Sequence, residues 1–77
     1  MALIVKFEKD TREIKSIHPT KVVCKYLVAE TGDQKVIQLN TYGSNDREFP
    51  GKLSQTLQLD EKAAIELLQI LQSHFRK

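Results

Sequence analysis

The feature that most constrains this chain is a change of hydrophobic period at Asp60. Before Asp60, apolar and polar residues alternate in several short runs, and this period of two predicts β-strands whose side chains point to opposite faces. After Asp60, apolar residues recur at spacings of three and four, which predicts an amphipathic helix. We therefore expect an α+β fold in which a sheet comes first and one C-terminal helix covers one of its faces.

Two of the predicted strands flank a polar loop, SNDREFPGK, at 44–52. The first strand spans 36–42, and its alternation separates an apolar side from an amide-rich side that ends in an aromatic ring. The second strand spans 53–59 and is predicted to bury its leucines, with Gln55 in register with them near the sheet margin. The expected outward residues are Gln38, Asn40, Tyr42, Ser54, Thr56 and Gln58, and the expected buried ones are Ile37, Leu39, Leu53, Leu57 and Leu59.

The residues that precede these strands predict two more. Lys21–Glu30 alternates around Cys24, and the turn at Thr31-Gly32-Asp33 joins it to the next strand as a hairpin, because glycine readily takes a positive φ. Ala2–Glu8 alternates in the same way. The sheet is thus predicted to be a curved antiparallel meander of four strands, or of five if the run around Ile14 and Ile17 forms the second arm of an N-terminal hairpin.

The helix is predicted to run from Glu61 to about Phe75, with Asp60 as its N-cap because a carboxylate there accepts a hydrogen bond from an early N–H group. Its apolar stripe is predicted to be core. Ile65 and Ile70 widen the stripe beyond the needs of one sheet face, so the excess is available for a dimer. The stripe consists of Ala64, Leu67, Leu68, Leu71 and Phe75.

Length and composition set the remaining limits. The 77 residues predict a single domain, 1–77, and a domain of that size buries only about 60% of its unfolded surface, which favours dimerisation. The net charge of +2 is only weakly basic. A lone Cys24 in an apolar run predicts a buried thiol in a reducing compartment, and no run approaches the length of a membrane span. We expect a cytoplasmic protein.

The sequence predicts no enzyme, metal site or cofactor. His18 and His74 lack metal-ligand spacing with Cys24 or with each other, and the glycines lie in separate turns rather than in one phosphate-binding loop. Asp46 and Glu48 are neighbours in a solvated loop rather than a catalytic pair. No small-molecule substrate is indicated.

Strand, turn, KVIQLNTYG, loop, PGKLSQTLQLD and terminal helix follow one another in an order that resembles the positive cofactor four-like transcriptional coactivators. The resemblance spans about 21–73 and includes the Pro50-Gly51-Lys52 segment before the last strand. The chain is also similar to small bacterial proteins with the pattern YGSNDREFPGK. The family resemblance implies a four-stranded antiparallel sheet with a helix, a homodimer, and binding of single-stranded DNA or other unpaired nucleic acid across the sheet faces.

The residues fit such a ligand on chemical grounds as well, because single strands are held by cations on the phosphates and by rings on which bases stack. The loop cations Arg47 and Lys52 are expected to contact phosphates, and Tyr42 is expected to stack a base. The alternative is a protein-interaction or accessory module that uses the helix stripe or a sheet edge, since strand lysines also serve solvation and edge protection. The predicted nucleic-acid-binding residues are Lys21, Lys25, Gln38, Asn40, Tyr42, Arg47, Lys52, Ser54 and Gln55.

Overall fold

The computed structural model describes residues 1–43 and 53–76, which form one sheet and one helix. The order of the strands across the sheet is β1-β4-β3-β2. The predicted α+β class, with four strands followed by a C-terminal helix, is confirmed. The elements are β1 (Ala2–Ile4), β2 (Cys24–Thr31), β3 (Gln34–Tyr42), β4 (Leu53–Asp60) and α1 (Glu61–Phe75).

The first strand makes the sheet mixed. β2, β3 and β4 form the predicted antiparallel meander, whereas β1 lies parallel to β4, with Leu3 opposite Gln58. A parallel neighbour requires a long connection, and the chain between β1 and β4 includes β2 and β3. Its first part is the connection at 5–23, which crosses from β1 at one edge of the sheet to β2 at the other. Within this connection, Ile14 and Ile17 are 90% and 91% exposed and belong to no strand, so the fifth strand is not formed.

The turn between β2 and β3 follows the predicted chemistry. Thr31 pairs with Gln34, which leaves Gly32 and Asp33 as a two-residue loop. Gly32 has a φ of +58°, whereas Asp33 has a negative φ. Glycine at the first central position is typical of a type II′ turn, whose twist suits a tight hairpin.

The strand register separates two faces of the sheet. The polar face carries Gln38 and Asn40 of β3, whose partners are Gln58 and Thr56 of β4 and Leu27 and Lys25 of β2. The helix face, on which α1 packs, carries Ile37 and Leu39 with Leu59 and Leu57 opposite them. The predicted alternation of β3 is therefore confirmed.

The helix starts directly after the last strand, without a loop. The backbone N–H of Ala63 donates a hydrogen bond of 2.8 Å to Oδ1 of Asp60, which is the predicted N-cap. Asp60 still pairs with Val36 in the sheet. Because strand and helix share this residue, the direction in which α1 leaves the sheet is set at its first turn.

The core differs from the prediction. Among the described residues, the buried hydrophobic side chains are Leu59, 2% exposed, and Ala63, 0% exposed. The predicted stripe is largely open, with Leu68 and Phe75 at 53% and 70% exposed, and the β4 residues Leu53 and Leu57 are exposed as well. The prediction that these residues are core was wrong for the single chain, because α1 packs on β3 and β4 with few contacts and approaches them closely at its first turn.

The predicted buried thiol was also wrong. Cys24 is exposed, because it begins β2 and β2 is an edge strand. Alternation predicts which residues share a face, but it does not tell whether another layer covers that face. In residues 1–43 and 53–76, no helix has the length and apolar character needed to cross a membrane.

Candidate nucleic-acid interface

A row of amide side chains runs across the polar face of the sheet. Nε2 of Gln58 donates a hydrogen bond of 2.9 Å to Oε1 of Gln38, and Nε2 of Gln38 donates one of 3.1 Å to Oδ1 of Asn40. Asn40 is only 9% exposed, and both glutamines are half-buried. Each of these hydrogen bonds restricts a side chain that would otherwise rotate freely. The amide row therefore presents its remaining polar atoms in fixed positions.

A cation and an aromatic ring lie next to the amide row. Lys25 is opposite Asn40 in the register, and its Nζ lies 5.2 Å from the centroid of the Tyr42 ring. The distance is within the range of a cation–π interaction. Tyr42 is half-buried, so part of its ring remains accessible. The pair therefore places a positive charge and an accessible ring at one end of the polar face.

Lys21, the other lysine predicted to bind nucleic acid, precedes β2 and lies near the same ring. Lys21, Val22 and Val23 border a shallow cleft of about 360 Å³ together with Tyr42 and Gly43. Val23 is 71% exposed. The cleft thus combines apolar walls, an aromatic ring and an ammonium group, which is the combination that holds an unpaired base beside a phosphate.

Two predicted site residues on β4 lie apart from this cluster. Gln55 pairs with Thr41 and therefore belongs to the helix face, opposite to the amide row. Ser54 lies at a register shift, because Tyr42 pairs with Leu53 while Thr41 pairs with Gln55. The predictions for Arg47 and Lys52 fall outside the described residues. The structure thus brings together Lys21, Lys25, Gln38, Asn40 and Tyr42.

Charge is distributed unevenly between the two faces. By alternation, β2, β3 and β4 contribute two charged residues to the polar face, Lys25 and Asp60. Asp60 caps the helix and lies at the opposite end of this face from Tyr42. On the helix face, Lys35 lies 4.0 Å from Glu30 in an exposed ion pair. The Tyr42 end of the polar face is therefore the more electropositive part of the described sheet.

A further ion pair lies in the connection at 5–23. The Arg12 guanidinium and backbone N–H both bond to Asp10, and they lower the pKa of that carboxyl, while the same side-chain contact raises the pKa of Arg12. Both groups are exposed. This local turn lies on another part of the chain from the amide row and adds no charge to it.

Gln58 was predicted to point outward on its strand, and the structure links it to Gln38. Predicting this hydrogen bond would have required the register between β3 and β4. Over the described ranges, no group of three His, Cys, Asp or Glu side chains lies close enough to hold a metal ion.

Comparison of the chain with protein-family models, with curated proteins and with solved structures finds no match. The resemblance to the coactivators therefore stays a prediction. The local chemistry of the polar face has to support any proposal of function.

Proposed function

We propose that this chain is a non-enzymatic protein that binds single-stranded DNA or other unpaired nucleic acid on the polar face of its sheet. In this proposal it acts as a small homodimer in transcription or another DNA transaction, in the cytoplasm. The observation that carries the proposal is the position of Lys25 over the Tyr42 ring beside the amide row. Cation, ring and ordered amides are the three groups with which proteins bind phosphates, base faces and base edges.

Each group has a separate role in this proposal. Lys25 and Lys21 contact backbone phosphates, and the exposed part of the Tyr42 ring stacks on a base. The amide row offers hydrogen bonds to base edges, which are accessible only in an unpaired strand. Arg47 and Lys52, which lie outside the described residues, are proposed to add further phosphate contacts.

The test is a titration of a fluorescent single-stranded oligonucleotide at several salt concentrations. Lys25→Ala should lower affinity and reduce the salt dependence, because each phosphate contact on a single strand contributes about 0.7 to the log–log slope. Tyr42→Ala should weaken binding by about 1 to 3 kcal/mol with little change in slope, because stacking releases few counterions. Tyr42→Phe keeps the ring and should retain most of the affinity.

Lys35→Ala is the matched control, because it removes the same charge from the other face of the same sheet. It should leave affinity and slope close to those of the wild type. Equal effects of Lys25→Ala and Lys35→Ala would mean that the protein attracts nucleic acid only through its net charge. Absence of wild-type binding at low salt would refute the proposal, and duplex DNA competing as well as a single strand would refute its specificity for unpaired bases.

A second candidate function is a protein-interaction or accessory module. The exposed apolar residues of α1, including Ile65 at 48% and Ile70 at 48%, favour it, because a helix that faces only water rarely carries such a stripe. Under this alternative, substitutions at Ile65 and Ile70 would abolish the function while Lys25→Ala and Tyr42→Ala would not affect it.

A further inference from the structure

No described strand pairs with the outer edge of β2. Within the described ranges β2 pairs only with β3, so alternate backbone groups along its eight residues face outward without a neighbouring strand. Its central side chains are apolar and exposed, with Tyr26 at 70%, Leu27 at 52% and Val28 at 74%. Proteins usually protect such an edge with proline, a bulge or central charges, but the centre of β2 has none of these.

An apolar groove begins at the same edge. It has a volume of about 630 Å³ and separates the helix face of β2 and β3 from α1. Val28 belongs to both features, because its side chain borders the groove and its backbone lies on the edge strand. The opposite wall of the groove is formed by helix residues, among them Ile65 and Leu68. Edge and groove therefore form one continuous apolar surface.

The solvent-accessible surface of the chain is larger than that of a compact monomer of the same mass. The chain exposes 7421 Å², whereas a compact monomer of its mass exposes about 4,800 Å². Part of this excess lies in the connection at 5–23, where Ile14 and Ile17 are exposed. The whole excess is more than the roughly 800 Å² that each partner buries in a standard interface. The radius of gyration of 14.9 Å likewise exceeds the roughly 11.5 Å expected for a compact chain of this length. A second copy of the chain is large enough to cover the edge and the groove together.

We propose that two copies associate through β2, antiparallel and edge to edge, to form a continuous eight-stranded sheet. The inference specifies the homodimer proposed above, but it does not depend on nucleic-acid binding. The two-fold axis of such a pair is perpendicular to the sheet, so both polar faces lie on one side and both helices on the other. The arrangement doubles the length of the polar face and brings the two apolar grooves together.

Symmetry restricts the register of this pairing. Directly opposite residues of antiparallel strands share a face, and the two-fold axis keeps the polar faces of both copies on the same side. One residue of β2 must therefore lie directly opposite the same residue of the second copy, with the axis passing between them. If the apolar centre of β2 lies at the axis, this residue is Leu27 or Val28. The Thr31–Gln34 pair closes the two-residue turn by mutual hydrogen bonds, so by alternation the N–H of Val28 points to the open edge.

The first experiment is cross-linking of the full chain by a short bis-maleimide in a Cys24→Ser background. Leu27→Cys and Val28→Cys should both give covalent dimers in high yield, because the side chains of opposite and adjacent positions lie about 5 to 8 Å apart. Leu3→Cys is the matched control, since β1 is the other edge of the sheet and Leu3 is 47% exposed. It should give little dimer. Equal yields from both edges would overturn the proposal.

The second experiment measures the dimer dissociation constant by analytical ultracentrifugation. Val28→Pro removes an N–H that faces outward and leaves the donors of the β2–β3 ladder in place, so the fold should persist by circular dichroism. The substitution acts twice across the two-fold axis and should raise the dissociation constant by roughly tenfold or more. An unchanged dissociation constant, a monomeric wild type or open-ended oligomers would each refute the proposal. If Val28→Pro does not fold, the cross-linking yields decide.

The outcomes separate this inference from the proposed function. Oligonucleotide binding by a wild type that shows no cross-link at positions 27 and 28 would overturn the edge pairing alone. A cross-linked dimer that binds no single strand would overturn the nucleic-acid proposal alone.

Discussion

Leu59 and Leu57 show how differently two identical residues contribute when only one is covered. They lie two positions apart on β4 and point to the same face, yet Leu59 is 2% exposed and Leu57 is 42% exposed. The difference arises because α1 leaves the sheet at Asp60 and its first turn, with Ala63, lies over the Leu59 end. Burial at this point depends on distance from the helix start, not on residue type.

We predict that Leu59→Ala lowers the free energy of unfolding by about 2 to 5 kcal/mol, because it removes transfer energy and leaves a cavity under the helix. Leu57→Ala is the control with the same change on the same face, and it should cost clearly less. Chemical denaturation followed by circular dichroism measures both. Equal losses would mean that Leu57 is as deeply buried in solution as Leu59.

At the scale of elements, the junction between β4 and α1 depends on one side chain. Asp60 ends the strand and also accepts the Ala63 N–H at 2.8 Å, and its negative charge lies at the positive end of the helix dipole. A helix that makes few contacts with the sheet depends strongly on its cap, because tertiary packing supplies little of its stability.

We predict that Asp60→Ala lowers the free energy of unfolding by about 1 kcal/mol, with loss of helical signal at the N-terminal end of α1. Asp60→Asn retains an oxygen acceptor and should keep most of the stability. Thermal unfolding monitored at 222 nm, together with amide exchange at Ala63, measures the effect. Rapid exchange at Ala63 in the wild type would contradict the cap.

For the whole molecule, the small core is the dominant feature. Two buried hydrophobic side chains among the described residues are few for a folded domain, and much apolar surface remains in contact with water. A chain with this exposure gains most of its stability when a partner covers the apolar surface, so folding and association should be coupled.

We predict that the thermal midpoint rises by about 5 to 10 °C for a hundredfold increase in protein concentration. Over that range, mass action stabilises the dimer by about 2.7 kcal/mol, and each of its two chains receives half of this free energy. A change of about 1 kcal/mol shifts the midpoint of a small domain by 4 to 8 °C. Differential scanning calorimetry at several concentrations tests this. Val28→Pro should show a weaker dependence, and a flat wild-type midpoint would contradict coupled assembly.

Local features were predictable from the sequence because their causes lie within a few residues. The strand and helix periods, the Asp60 cap, the positive φ of Gly32 and the alternation of Gln38 and Asn40 away from Ile37 depend on neighbours in the chain, and the structure confirms them. For the candidate site, the sequence identified Lys25, Tyr42 and the two amides of β3 as residues of one face.

Only the tertiary structure decided which segments meet. It placed β1 parallel to β4, left β2 at an edge with Cys24 exposed, selected Ala63 rather than the predicted stripe as the buried helix residue, and joined Gln58 to Gln38. These outcomes depend on pairings between residues far apart in the chain. Their free energies are small differences summed over many contacts, so no local pattern determines them.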